Sequence, residues 1–186
     1  DAERSEGSLL ASFWGLCRNR MVSLAEGKEL WSPEPELAQW WAGDNMERFF
    51  AEYQAWKAEN AYVDFTDLLE HAAANPPSGR WPFFVLDEAQ DSTPLQWRVA
   101  NHFAGRCDVA YIAGDDDQCL YNWSGASPVE FLGAKVCGDD VLSVNHRSGR
   151  VLVDAAQAFI RRNRIRRDKG MTAAREGGVI TSLPTG

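Results

Sequence analysis

Two acidic clusters stand out in the middle of the chain, Asp87-Glu88-Ala89-Gln90-Asp91 and Gly114-Asp115-Asp116-Asp117-Gln118. Each follows a short apolar run, Phe83-Phe84-Val85-Leu86 and Val109-Ala110-Tyr111-Ile112-Ala113. Carboxylates crowded together repel one another unless a cation intervenes. A hard divalent ion with oxygen ligands is the natural partner, and Mg²⁺ with nucleotide phosphates is the commonest such case. An apolar strand followed by Asp-Glu fits the Walker B pattern. There Asp87 would hold the metal, directly or through water, and Glu88, also a candidate at the metal, would polarise the water that attacks the terminal phosphate. Gln118 is a neutral amide able to hydrogen-bond a phosphate oxygen or that water. Tyr121 and Trp123 alternate with polar residues ahead of Gly125. They offer flat faces to unstacked bases, an interaction of ~1–3 kcal/mol per base, or else they pack in the core. Arg147, in Asn145-His146-Arg147-Ser148, is either a surface arginine at a helix start or a finger on a transferring phosphoryl group, a role worth roughly 10³–10⁵ in rate.

These residues need a scaffold that brings strand ends together. Leu9, Leu10, Phe13, Leu16 and Cys17 share one side of a helix expected from Ser8 to Met21, and Met46, Phe49, Phe50, Tyr53 and Trp56 mark another from Asp44 to Asn60. Pro33 and Pro35 separate the two. Asp64 can cap a short helix through Leu68, Leu69 and His71, which Asn75-Pro76-Pro77-Ser78-Gly79 ends. Beyond Arg80 the rhythm changes. Residues 83–86 form a continuous apolar run, as in a strand buried on both faces. Thr93-Pro94 opens a helix through His102. Residues 109–113 form a second strand, Ser127-Pro128 starts a short helix, and Val141-Leu142-Ser143-Val144 reads as a third strand. A helix is expected over residues 149–162, and Val179-Ile180 reads as the opening of a last strand. Alternating strands and helices imply crossovers and a parallel sheet, with the strand ends facing one ligand-binding edge.

Composition narrows the class. The chain has 186 residues, 45% of them hydrophobic, which suits one domain or a domain with pieces of another. No apolar run approaches a membrane span, and the acidic start is wrong for a secretory signal. The expectation is a cytoplasmic protein. Its four cysteines (Cys17, Cys107, Cys119, Cys137) are scattered and read as reduced thiols. The three histidines show no ligand spacing. A net charge of -8 argues against a simple nucleic-acid coating protein. Yet residues 147–169 carry eight basic side chains against two acids, either a solvated helix end or a DNA-facing stretch.

The motifs resemble those of the UvrD/Rep-like superfamily 1 DNA helicases. Tyr53 through Leu69 is similar to the segment leading out of that family's helical insertion. Val85-Leu86-Asp87-Glu88-Ala89-Gln90-Asp91, with Leu95-Gln96, resembles motif II. Gly114 through Ala126 resembles motif III, and Asn145-His146-Arg147-Ser148 resembles motif IV. The resemblance implies a RecA-like, P-loop NTPase-type α/β motor with a parallel sheet. Its implied ligands are ATP and Mg²⁺, with single-stranded DNA and duplex junctions as partners, and translocation generally 3′ to 5′. It further implies that Asp87 coordinates Mg²⁺, Glu88 activates water, Gln118 senses the terminal phosphate, Tyr121 and Trp123 stack on DNA, Arg147 acts as a finger, and Gln90 assists at the phosphates. Three positions depart from the family pattern. Ser124 replaces an arginine, with loss of any charge contact there, His146 a tyrosine, and Thr66 a frequent aspartate.

No GxxxxGK[ST] occurs in the chain. The expectation is an internal segment whose partner is the remainder of a helicase polypeptide. Residues 1–62 would be part of a helical insertion, 63–149 the back half of the first motor domain, and 150–186 the start of the second. A metal-dependent nuclease is the rival enzyme class. Such sites commonly want a Glu-x-Lys beside the acids, and Glu26-Gly27-Lys28 lies in the helical region. A non-catalytic DNA-binding or interaction module derived from a helicase is the other alternative.

Overall fold

In the computed structural model, residues 5–33 and 35–181 are described. Packing divides them into two units. One runs to Asp115 and resumes over Cys119–Ser127, while the other takes Asp116–Gln118 and the chain from Pro128 onward.

The first unit begins with helices whose ends the sequence writes plainly. Helix α1 (Glu6–Arg20) is capped by Ser5, whose side chain accepts the Ser8 N–H. Helix α2 (Leu24–Leu30) starts on a reciprocal capping box between Ser23 and Glu26. A short α3 (Ala38–Trp41) and a long α4 (Asn45–Glu59) follow. Their apolar faces meet in a core of Leu10, Phe13, Cys17, Leu37, Met46 and Phe50, rimmed by Trp14, Trp31, Trp40 and Trp41. Helix α5 (Phe65–Ala74) carries the expected Asp64 cap, again a reciprocal box, with Asp67.

That cap serves a second purpose. Arg18 on α1 reaches Asp64, Asp67 and Glu70 at 3.0, 2.5 and 2.6 Å, and buried Lys57 on α4 reaches Asp64 and Asp67 at 2.7 and 2.6 Å. Both cations also lie over the Trp14 ring. Burial alone would raise the Asp64 carboxyl. The bonds from Lys57, the Asp67 backbone and Arg18 outweigh it and hold the group at about 2.

Strands β1 (Trp81–Leu86) and β2 (Cys107–Ile112) pair in parallel, from Trp81↔Cys107 to Leu86↔Ile112. The crossover between them contains α6 (Pro94–Ala104), opened by the expected Thr93 cap with Gln96 as its reciprocal partner. Phe103 of α6 packs on Trp81 and Phe84. Burial on both faces is not what the strand adopts. Phe83 and Val85 are 64% and 57% exposed, and Val109 and Tyr111 beside them are also exposed. Strand alternation turns these side chains away from α6, and that face is open among the described residues.

The second unit corrects two strand expectations. Strand β3 is Val144–Gly149, so Asn145 to Ser148 lie within it rather than after it. Its partner is β4 (Thr172–Arg175), parallel and irregular in register between Asn145 and Gly149. Pairing therefore overrides the greater apolarity of residues 141–143. Val179 and Ile180 form no strand and are exposed. Gly177 and Gly178, both at positive φ, bend the chain back, and the Val151 N–H donates to Gly177 O at 3.1 Å. Helices α7 (Pro128–Leu132) and α8 (Arg150–Ile160) complete the unit. The fold is mixed α/β, and the described residues form two two-stranded parallel sheets in place of the single sheet expected.

Candidate functional site

The C-terminal ends of β1 and β2 are sewn together just where the first acids emerge. The Ala113 N–H donates to Leu86 O at 2.8 Å, and the Ala89 N–H donates to Ala113 O at 3.0 Å. Between these bonds the chain turns sharply, with Glu88 in the left-handed region at φ 50°. A non-glycine residue held there stores roughly 1–3 kcal/mol of strain.

The turn keeps its shape through Gln90, which is 1% exposed. The Gln90 amide nitrogen donates to Glu88 Oε2 at 2.8 Å and to Asp91 Oδ2 at 3.2 Å, and its oxygen accepts the Asp115 N–H at 2.9 Å. Asp91 Oδ1 in turn accepts the Leu120 N–H at 3.3 Å. Gln90 thus spends its amide inside the loop, fixing Glu88 against the chain that leaves β2.

Asp87 and Glu88 themselves are exposed. Asp87 accepts its neighbour's N–H at 2.9 Å, and among the described residues neither carboxylate is in an ion pair. Two anionic oxygen donors on one tip, without a protein cation, suit a hard divalent ion.

The second acidic cluster behaves differently. Asp116 and Asp117 sit on a single turn, Asp116–Gln118, with side chains 1% and 4% exposed. Asp117 accepts both Nε and Nη2 of Arg166, at 3.0 and 3.1 Å. Lys169 lies 2.6 Å from Asp116 and 2.8 Å from Asp117. Asn163 Nδ2 and the Arg167 N–H add bonds of 3.2 Å to Asp117 and 2.7 Å to Asp116. Burial would raise the Asp117 carboxyl, but the bonds from Arg166, Lys169 and Asn163 bring it to about 2. The intervening cation here is the protein's own. The basic stretch contributes at least three of its charges to internal pairs, since Arg167 also pairs with Asp139. The sequence carries both the acids and the basic run, with nothing local to join them. Their opposite charge was the available signal.

Gln118 is exposed on the same turn, in the second unit. Arg147 also belongs to that unit. Its side chain is exposed on β3, and its N–H and that of Ser148 donate to Asn145 Oδ1 at 2.9 and 2.8 Å. Tyr121 and Trp123 belong to the first unit, 50% and 76% exposed, with ring centroids 6.2 Å apart and planes 58° apart. Both rings face outward rather than into the core. The turn beneath them is fixed by Ser124, which donates to Tyr121 O at 2.8 Å, and by Gly125 at φ 101°. A side chain at Gly125 would be strained in that conformation and would crowd Asn19 at 3.3 Å. Arg20 of α1 holds the next carbonyl, Ala126 O, at 3.0 Å.

Residues 17–136 match the UvrD/REP helicase N-terminal domain. The chain belongs to that family. It is 35% identical over 124 residues to the RecBCD enzyme subunit RecB of Mycolicibacterium smegmatis, covering 60% of this chain and 11% of that protein. It is 40% identical over 91 residues to the ATP-dependent DNA helicase UvrD2 of Mycobacterium tuberculosis, covering 42% of the chain and 13% of the relative. It is 27% identical over 161 residues to the ATP-dependent DNA helicase PcrA of Staphylococcus epidermidis, covering 77% and 22%. The chain therefore spans roughly a tenth to a fifth of these relatives. No described helix is long and apolar enough to cross a membrane.

Proposed function

We propose that the chain is a segment of an ATP-dependent DNA helicase with a RecA-like motor, supplying the metal-binding and water-activating tip together with DNA-coupling residues. The observation that carries this reading is the pair Asp87–Glu88, exposed and, among the described residues, outside any ion pair, on a tip that Gln90 ties to the end of β2. The domain division 1–62, 63–149 and 150–186 belongs to the same proposal.

Bound Mg²⁺ would offset charge on the nucleotide phosphates. Asp87 would hold that ion. Glu88 would orient a water and take its proton, with Gln90 keeping the carboxylate in place. Gln118 would hydrogen-bond a phosphate oxygen, and Arg147 would face charge on the transferring group. Tyr121 and Trp123, both exposed, would stack on bases of single-stranded DNA at a duplex junction, and movement along it would be 3′ to 5′, as the motif resemblance implies.

The test is ATP hydrolysis, with and without single-stranded DNA, by this chain and by a longer helicase polypeptide carrying it. We expect negligible turnover from the chain alone and DNA-stimulated turnover from the longer protein, abolished by Glu88→Gln. Full activity of that variant would remove Glu88 from its role.

A further inference from the structure

We propose that Arg166 and Lys169 are positioning residues for Gln118, holding its turn to the segment that follows α8. The proposal rests on the nucleotide role given to Gln118 above. It begins from a peculiarity of the chain path. Asp115 and Cys119 belong to the first unit, yet the three residues between them belong to the second. The turn is polar and has no apolar face to bury; α7, which follows it in the chain, lies against it, and the turn's two acids are met from farther along the sequence.

The anchoring comes from side chains about 50 residues away. Arg166 grips Asp117 at two points, Lys169 bridges Asp116 and Asp117, Asn163 donates to Asp117, and the Arg167 N–H donates to Asp116. Both carboxylates are almost fully buried, so the match of two anions with two cations is obligatory rather than decorative. Gln118 is the next residue and is itself exposed. On either side the backbone is held in the first unit, the Asp115 N–H by Gln90 and the Leu120 N–H by Asp91. Residues 163–169 therefore hold the two residues directly before Gln118. Arg166 and Lys169 touch neither nucleotide nor DNA in this scheme. They set where the Gln118 amide points.

The experiment has two readouts. Hydrogen–deuterium exchange on this chain would compare wild type with Arg166→Gln/Lys169→Gln. Amides of residues 116–119 should exchange about tenfold faster while residues 89–91 are unchanged. In the longer helicase the same variant should lose about tenfold in DNA-stimulated kcat, with ATP KM and single-stranded-DNA affinity within about threefold of wild type. Should the double variant unfold, Arg166→Lys, which keeps the charge and loses the two-point grip, should show intermediate exchange and turnover. Wild-type exchange at 116–119 overturns the anchoring, and faster exchange with wild-type turnover overturns its link to Gln118. Wild-type turnover in Glu88→Gln would instead strike the nucleotide reading and leave the exchange result standing.

Discussion

The acids after β1 and the acids after β2 look alike in the sequence and have opposite fates. Asp87 and Glu88 are exposed on a strained turn, and the residue that supports them, Gln90, is neutral. Asp116 and Asp117 are buried and met by Arg166 and Lys169. One cluster keeps its charge available to a ligand, and the other consumes its charge in holding a turn. The Arg18–Lys57 network with Asp64, Asp67 and Glu70 is a second case of the consumed kind. The position of the nearest cation, not the strand that precedes it, separates the exposed carboxylates from the buried ones.

The sharpest way to break this comparison is turnover in the longer helicase. Glu88→Gln should lower it by roughly 10²–10⁴, the range for a missing general base. The fold should be untouched, as read by an unchanged thermal midpoint. The reverse pattern is expected where acids are consumed. Loss of a buried hydrogen-bonded charge costs about 1–3 kcal/mol where a second cation remains, as Arg18 does here, so Lys57→Met should show a loss of that size in urea denaturation. Asp87→Asn, on an exposed tip, should stay within about 0.5 kcal/mol of wild type.

How far the sequence foretells these roles follows from the range of the signal. Caps are local. Asp64 and Thr93 were legible because their partners, Asp67 and Gln96, lie three residues on. The exposure of Tyr121 and Trp123 is not legible locally, since two rings on a loop read equally as core or surface. The ion pairs of Asp117 span about 50 residues, and nothing in the local pattern specifies them. The third strand was misplaced for a related reason. Val141 and Leu142 are more apolar than Asn145 to Ser148, but Thr172 and Ala173 pair at Val144 and Asn145. The open face carrying Phe83 and Val85 was equally hidden, because an apolar run reports that a strand is apolar and not what covers it.

Acid sharpens the comparison on a smaller scale. Asp117 is held at about 2 in the folded chain, below its ordinary value of 3.8. A carboxyl depressed by folding stabilises the fold above its unfolded pKa and loses that contribution as pH falls through the folded one. Stability should therefore decline between about pH 4 and pH 2, with Asp117 contributing on the order of 2 kcal/mol. Denaturation of Asp117→Asn at pH 6 and at pH 2.5 should show a difference smaller than in wild type by about two thirds of that amount, because the folded carboxyl is still partly ionised at pH 2.5. Trp123→Ala leaves both acid clusters alone and should weaken single-stranded-DNA binding in the longer helicase by ~1–3 kcal/mol, measured by fluorescence anisotropy.

Magnesium dependence separates the two clusters most directly. ATP hydrolysis by the longer helicase would be titrated with Mg²⁺ in Asp87→Asn and, separately, in Asp116→Asn. The account predicts that Asp87→Asn raises the half-saturating Mg²⁺ concentration by about tenfold or more and that Asp116→Asn leaves it unchanged, since its carboxylate already has Lys169. An unchanged Mg²⁺ requirement in Asp87→Asn, with the shift appearing in Asp116→Asn, would contradict it.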